Sequence, residues 1–197
     1  MKVLKWFLGM IASILVAIIV LTFIYNHIVK SNLVKYENDV HKNWTELFTS
    51  STERLIPLES YLVNDSTIYG EVLKNSNTRN QYKDKCSEEY VYLEYELNKS
   101  LIAFLDSLDM SSEKNFLLKE EFIRSSSKLN KLAKTYNQSV FVYNSYMYQF
   151  PNIIIAKRNN FKIKEQFTIK YGAENKDPIL QKQEMIESMR KVVDDNI

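Results

Sequence analysis

The sequence predicts an all-α protein: an N-terminal transmembrane helix continuing into an antiparallel up-and-down bundle of long helices. Three observations predict it. Only 3 Gly and 3 Pro occur in 197 residues, far below average usage of roughly 7% and 5%, so turns are few. Sandwiches, barrels and doubly wound α/β folds need frequent turns, and this composition argues against all three. Residues 6–25 carry no charge. Beyond them, apolar residues recur every three or four positions, the spacing of one helical face.

Residues 1–5 are a short tail and 6–25 a signal anchor. At 1.5 Å per residue the anchor helix is about 30 Å long, the thickness of a hydrocarbon core. Trp6 and Phe7 at one end, and Phe23 and Tyr25 at the other, suit the two interfaces. A cleaved signal peptide is the rival reading, but its apolar region is shorter and ends in a small-residue site. Lys2 and Lys5 crowd the N-terminal side more closely than Lys30, Lys35 and Lys42 crowd the other. That places the N-terminus in the cytoplasm and the body outside it.

Residues 26–171 form the bundle. Asn26 to Glu53 contains no Gly or Pro, so the anchor is expected to continue as a rod with the stripe Leu33, Tyr36, Val40, Trp44, Leu47, Ser51, Leu55, Leu58 and Leu62. Pro57 lacks an N–H and should kink that helix or end it. The stretch from Asn64 to Asn80, rich in Asn and Ser around Gly70, reads as a loop. A second stripe runs through Tyr82, Cys86, Tyr90, Leu93, Leu97, Leu101, Phe104 and Leu108. Asp109 to Ser112 marks a stop and restart, with Ser112 as N-cap and Glu113 in the first turn. The third helix carries Phe116, Leu117, Ile123, Leu129, Leu132, Tyr136, Val140, Tyr143, Met147 and Phe150, and stops before Pro151. Ile153 to Ala156 reads as a short apolar turn, since one strand alone has no pairing partner. Residues 172–197 start with a C-cap at Gly172 and an N-cap at Asp177-Pro178, then form a short amphipathic helix through Ile179, Ile186, Met189 and Val193.

The order of local words is more specific than any of them. Tyr25-Asn26 ends the span, Val40 and Trp44 follow, and then comes Leu55-Ile56-Pro57. Far downstream stand Tyr136-Asn137, Val140, Tyr143-Asn144, Phe150-Pro151, Ile155-Ala156 and Phe161. Together these resemble the LemA family of bacterial membrane-anchored helical proteins, from residue 1 to about residue 171. The resemblance implies one N-terminal span and a long helical bundle. It implies no established enzymatic activity and transfers no active site.

The residues themselves offer little catalytic chemistry. One Cys excludes an internal disulfide and a cysteine zinc site, and a net charge of +2 gives no nucleic-acid field. Glu37 and His41 share a helix face at i and i+4. A di-metal bundle needs more ligands than the two His supply, so no metal or cofactor is expected. Glu88, Glu89, Glu94, Glu96, Glu120 and Glu121 lie between stripe positions and read as a water-facing surface. Cys86, on the stripe with no base nearby in sequence, reads as a buried inert thiol. The Asn-x-Ser/Thr matches at Asn43, Asn64, Asn98 and Asn137 are expected accidents of composition.

Asn137 and Asn144, seven residues apart beside Tyr136 and Tyr143, are expected to form a buried polar ladder that fixes helix register. Trp44, Pro57, Tyr136, Asn137, Tyr143, Asn144, Phe150 and Pro151 are the candidate positions. Lys157, Arg158, Lys162 and Lys164, interleaved with Phe161, form a candidate basic surface for an acidic membrane or partner. The expected function is that of a single-pass protein of the bacterial inner or plasma membrane, not an enzyme, with a structural or interaction role toward protein partners or further copies of itself. The alternative is a module that binds a lipid or small molecule in a cavity lined by Trp44, Tyr136, Tyr143 and Phe150.

Overall fold

The computed structural model describes residues 2–58, 66–172 and 176–184. Helix α1 (Lys2–Glu53) is followed by a single turn at 56–58, then α2 (Ser66–Arg79), a 3₁₀ turn (Asn80–Tyr82), α3 (Glu88–Ser107), α4 (Glu113–Tyr148) and α5 (Asn152–Arg158). Residues 178–184 are helical, and no strand occurs among the described residues. The fold is all-α, with a long apolar N-terminal helix followed by a series of further helices. The chain divides into two compact units, one of residues 1–39 and 141–163, the other of residues 40–140 and 164–197.

In the first unit the N-terminal part of α1 is long and apolar enough to cross a membrane, and none of its apolar window is buried. Those side chains are therefore not the core of a soluble bundle. Past the apolar window, Val29 and Leu33 are buried. Here α1 pairs with the end of α4: Tyr36 meets Tyr146 edge to face with ring centroids 5.2 Å apart, and Asn32 Nδ2 donates to Tyr146 Oη at 3.0 Å. Farther toward the N-terminus, Tyr25 Oη donates to Asn152 Oδ1 at 2.7 Å. Falling numbers on α1 thus meet rising numbers beyond α4, an antiparallel register.

The second unit is an up-and-down arrangement whose directions follow from its contacts. Ser51 meets Tyr90 and Arg54 meets Asn98, so α1 and α3 run parallel. Trp44 packs on Tyr136 while Arg54 lies over Phe122, so α1 and α4 run antiparallel. The α1 stripe is buried as its spacing predicts, at Val40, Trp44, Leu47, Ser51, Leu55 and Leu58, and Leu62 lies outside the described residues. With Val72, Leu97, Leu101, Phe104, Leu105, Leu118 and Phe122, Leu55 and Leu58 form one apolar cluster.

Several expected elements are corrected. The expected loop of 64–80 is helix α2 over Ser66–Arg79; burial of Val72 and Arg79 outweighs the weak helix propensity of Asn, Ser and Gly. Asn64 and Asp65 lie outside the described residues. The second stripe does not begin as α-helix at Tyr82, because Ser87, extended at φ −142° and ψ 163°, caps α3 by accepting from the Tyr90 N–H. On α4, Phe116, Leu117 and Ile123 are exposed, and Leu118, Phe122 and Ser126 are buried instead. Helix α1 ends at Glu53, four residues before Pro57, where the ring removes the donor its carbonyl would need. Ile153 to Ala156 lie in helix α5 rather than in an irregular turn. Gly172 takes φ +97° and follows residues 161–170, which are neither helix nor strand, so it caps no helix. Asp177 does cap the next one, its Oδ1 accepting from the Ile179 N–H at 2.8 Å. The expected helix beyond residue 184 lies outside the described residues.

Candidate functional site

Three charged side chains meet in the interior of the second unit. Glu94 on α3 is fully buried, as is Arg79 at the end of α2, and Arg54 is 6% exposed just past α1. Arg79 Nη1 donates to Glu94 Oε2 at 2.6 Å, and Arg54 Nη2 to Glu94 Oε1 at 3.1 Å. Arg54 Nη1 also donates to Asn98 Oδ1 at 3.0 Å, and Arg79 Nη2 to Thr52 Oγ1 at 3.0 Å. Aromatic faces cover the guanidinium groups. The Tyr171 ring lies 4.6 Å and the Phe122 ring 5.4 Å from Arg54 Cζ, and the Phe48 ring 5.7 Å from Arg79 Cζ.

Two guanidinium groups share one carboxylate, and that decides the protonation of the cluster. Burial alone would raise the Glu94 pKa, but Arg79 first and Arg54 second outweigh it and hold the carboxyl below its ordinary 4.5. Burial works against charge on Arg79 too, and Glu94 reverses the balance, so its pKa rises. Tyr171 is pushed well up by burial and then by Glu94. Glu94 is therefore held charged and Tyr171 neutral near neutral pH, which suits holding helices together. The expectation of a water-facing Glu94 is corrected: the second stripe places it inward, one turn from Tyr90, because two arginines compensate it there. Glu88, Glu89, Glu120 and Glu121 are exposed and Glu96 half-buried.

Arg54 also borders a cleft of about 180 Å³ lined by Ser50, Glu53, Pro57, Phe122, Ser125 and Lys128 among others. Pro57 shapes its wall. Trp44 and Tyr136 lie elsewhere in this unit, ring against ring at 5.4 Å, with Tyr90 edge-on to Trp44 at 4.8 Å. Trp44 Nε1 donates to the Lys83 carbonyl at 2.8 Å, tying α1 to the turn that precedes α3.

The polar residues of α4 hold backbone. Asn137 Oδ1 accepts from the Phe167 N–H at 2.8 Å while its Nδ2 donates to the Phe167 carbonyl at 2.7 Å. Asn130 treats Tyr171 in the same way, at 2.9 and 3.0 Å. Tyr136 Oη donates to the Glu165 carbonyl at 2.8 Å. In the first unit Tyr143 Oη does the same for Lys162 at 2.9 Å. The ladder expected of Asn137 and Asn144 is corrected: Asn137 holds the backbone of Phe167 rather than a neighbouring helix, and the residue that repeats this contact seven positions away is Asn130. Asn144 is half-buried and engaged in an interaction of its own. Along the gripped chain Phe167, Ile169 and Tyr171 are buried and Thr168 and Lys170 exposed, the alternation of a strand.

Phe150, placed by the sequence in a cavity wall, is 83% exposed, so it lines no interior; Pro151 behind it is half-buried. Lys157, Arg158 and Lys162 are exposed in the first unit, whereas Lys164 is half-buried in the second. Cys86 is buried, and burial pushes its thiol up to about 12. It should resist maleimide in the native protein at neutral pH and react once unfolded, which mass spectrometry of pulse-labelled protein will show; fast native labelling would contradict its burial.

Arg54, Arg79, Glu94, Asn98 and Asn130 escaped the sequence reading as site residues. A signal for Asn130 existed, since it precedes Asn137 by seven residues. For the arginines none did.

A helical bundle carrying one unburied apolar helix, with two interior arginines sharing one interior glutamate, is the class of protein that this architecture defines. The model of the LemA family matches residues 59–181, and the chain belongs to that family. No curated protein and no solved structure matches it.

Proposed function

We propose that this LemA family protein is a non-enzymatic component of the bacterial envelope, held in the inner or plasma membrane by α1, with an extracytoplasmic body that engages protein partners or further copies of itself. The observation that carries this reading is the apolar stretch of α1, uncharged and wholly unburied, which water does not tolerate at that length. The fixed protonation of Glu94, Cys86 and Tyr171 supports a structural rather than a chemical interior. The test joins two measurements on the full chain. Carbonate washing should leave the protein in the membrane pellet. A C-terminal Cys in a Cys86→Ser background should react with a membrane-impermeant maleimide in intact spheroplasts. Release by carbonate overturns the anchor, and labelling only after lysis overturns the orientation.

A second reading, binding of a lipid or small molecule, is favoured by the cleft beside Arg54. A ligand of the native state raises stability by RT ln(1 + [L]/Kd), so thermal-shift screening with envelope lipids distinguishes it.

A further inference from the structure

We infer that the turn between α4 and α5 is a second membrane contact, seated in the headgroup layer of the bilayer that α1 spans. The inference rests on the reading of α1 as a transmembrane helix. All of its residues belong to the first unit.

The register of that unit sets the depth of the turn. Tyr146 is level with Asn32 and Tyr36 on α1, and Asn152 is level with Tyr25, the aromatic that closes the segment read as the span, five residues before the first charge at Lys30. From Tyr36 to Tyr25 is eleven residues of helix, about 16 Å. The end of α4 therefore descends along α1 until its turn reaches the boundary of the hydrocarbon. The side chains displayed there are apolar and exposed: Phe150 is 83% exposed, Tyr148 53% and Ile154 58%, and at the same depth on α1 Phe23 is 78% exposed. An aromatic side chain so exposed is unfavourable in water and favourable at a membrane interface.

Charge follows the same layout. Lys157 and Arg158 end α5, five or six residues beyond Asn152. That is at most about 9 Å from the Tyr25 level and close to the thickness of a headgroup layer. Both are exposed, which suits anionic phospholipid headgroups. Lys162, bound through its carbonyl to Tyr143, stands about a turn farther from the membrane than Tyr146 and plays no part. Of the expected basic surface, Lys157 and Arg158 thus face lipid and Lys162 faces water.

The full chain with Cys86→Ser, reconstituted in vesicles containing phosphatidylglycerol, tests this with an environment-sensitive fluorophore on single introduced cysteines. Gln149→Cys reports the turn, Leu15→Cys the span, and Lys35→Cys the aqueous flank. Lipids carrying a nitroxide near the headgroup should quench the label at 149 strongly and leave the label at 35 bright, while a nitroxide deep in the chain should quench the label at 15. Adding Phe150→Asp and Ile154→Asp should return position 149 toward the brightness of position 35. A bright label at 149 with a quenched label at 15 overturns the inference alone. Quenching at 149 that ignores the two Asp substitutions also overturns it, since apolar insertion would then contribute nothing. A bright label at 15 overturns the transmembrane reading, and this inference with it.

Discussion

Glu94→Gln should destabilise the second unit by about 3–5 kcal/mol, because it leaves two buried guanidinium groups with no compensating charge. The amide keeps the shape and one acceptor oxygen, so the loss reports charge rather than packing. Urea unfolding followed by Trp44 fluorescence, with Trp6→Phe to leave one reporter, measures it: Trp44 sits against Tyr90 and Tyr136 in the same unit. The triple variant Arg54→Met, Arg79→Met, Glu94→Leu should recover most of that loss, since a well-packed apolar triad removes the desolvation penalty of all three charges. Acid supplies an independent check. The folded carboxyl titrates below its ordinary 4.5, so its stabilisation is complete above that value and is lost as the pH falls through the folded pKa. The wild-type protein should weaken below about pH 4.5 by a component that Glu94→Gln lacks. A variant with unchanged urea midpoint and unchanged acid profile would refute the role given to this carboxylate.

Asn137→Ala should release the chain around Phe167. It removes two hydrogen bonds to one residue's backbone and leaves an N–H and a carbonyl without partners in a half-buried site, a loss of about 2–4 kcal/mol. Asn137→Asp is the sharper variant, because a carboxylate still accepts from the Phe167 N–H but repels its carbonyl. Hydrogen exchange of residues 165–171 should accelerate in both variants, while the middle of α3 exchanges as before. Asn130→Ala should act in the same way on Tyr171, whose ring covers Arg54, and so should also loosen the ionic core. Unchanged exchange at 165–171 would show that apolar burial of Phe167, Ile169 and Tyr171 suffices to hold the segment.

The helices were legible where apolar residues alone define a face. Leu33, Val40, Trp44 and Leu47 stand out on α1 because little competes with them. On α4 two faces compete, one through Phe116, Leu117 and Ile123 and one through Leu118, Phe122, Ser126 and Leu129. Burial selects the second although it contains a serine, and hydrophobicity ranks them the other way. Interior charges were illegible for a related reason. Glu94 looks like its exposed neighbours Glu88 and Glu89 until the arginines that compensate it are known, and those lie 40 and 15 residues upstream. Pairing at that distance is a property of the fold, not of any local pattern. The Asn and Tyr repeat of α4 was visible as a period, but a period names a face and not what the face holds.

The hold of Asn130 and Asn137 on Tyr171 and Phe167 also makes that stretch a measured length. Seven helical residues separate the two asparagines by about 10.5 Å, and four extended residues separate their targets by about 13 Å, so a modest slant brings both into register. One residue added or lost between 167 and 171 shifts the reach by about 3.3 Å and turns the following side chains to the opposite side. Connecting segments ordinarily absorb changes of length that helices refuse; in this protein an irregular stretch carries the stricter ruler, and tolerated insertions should fall outside it.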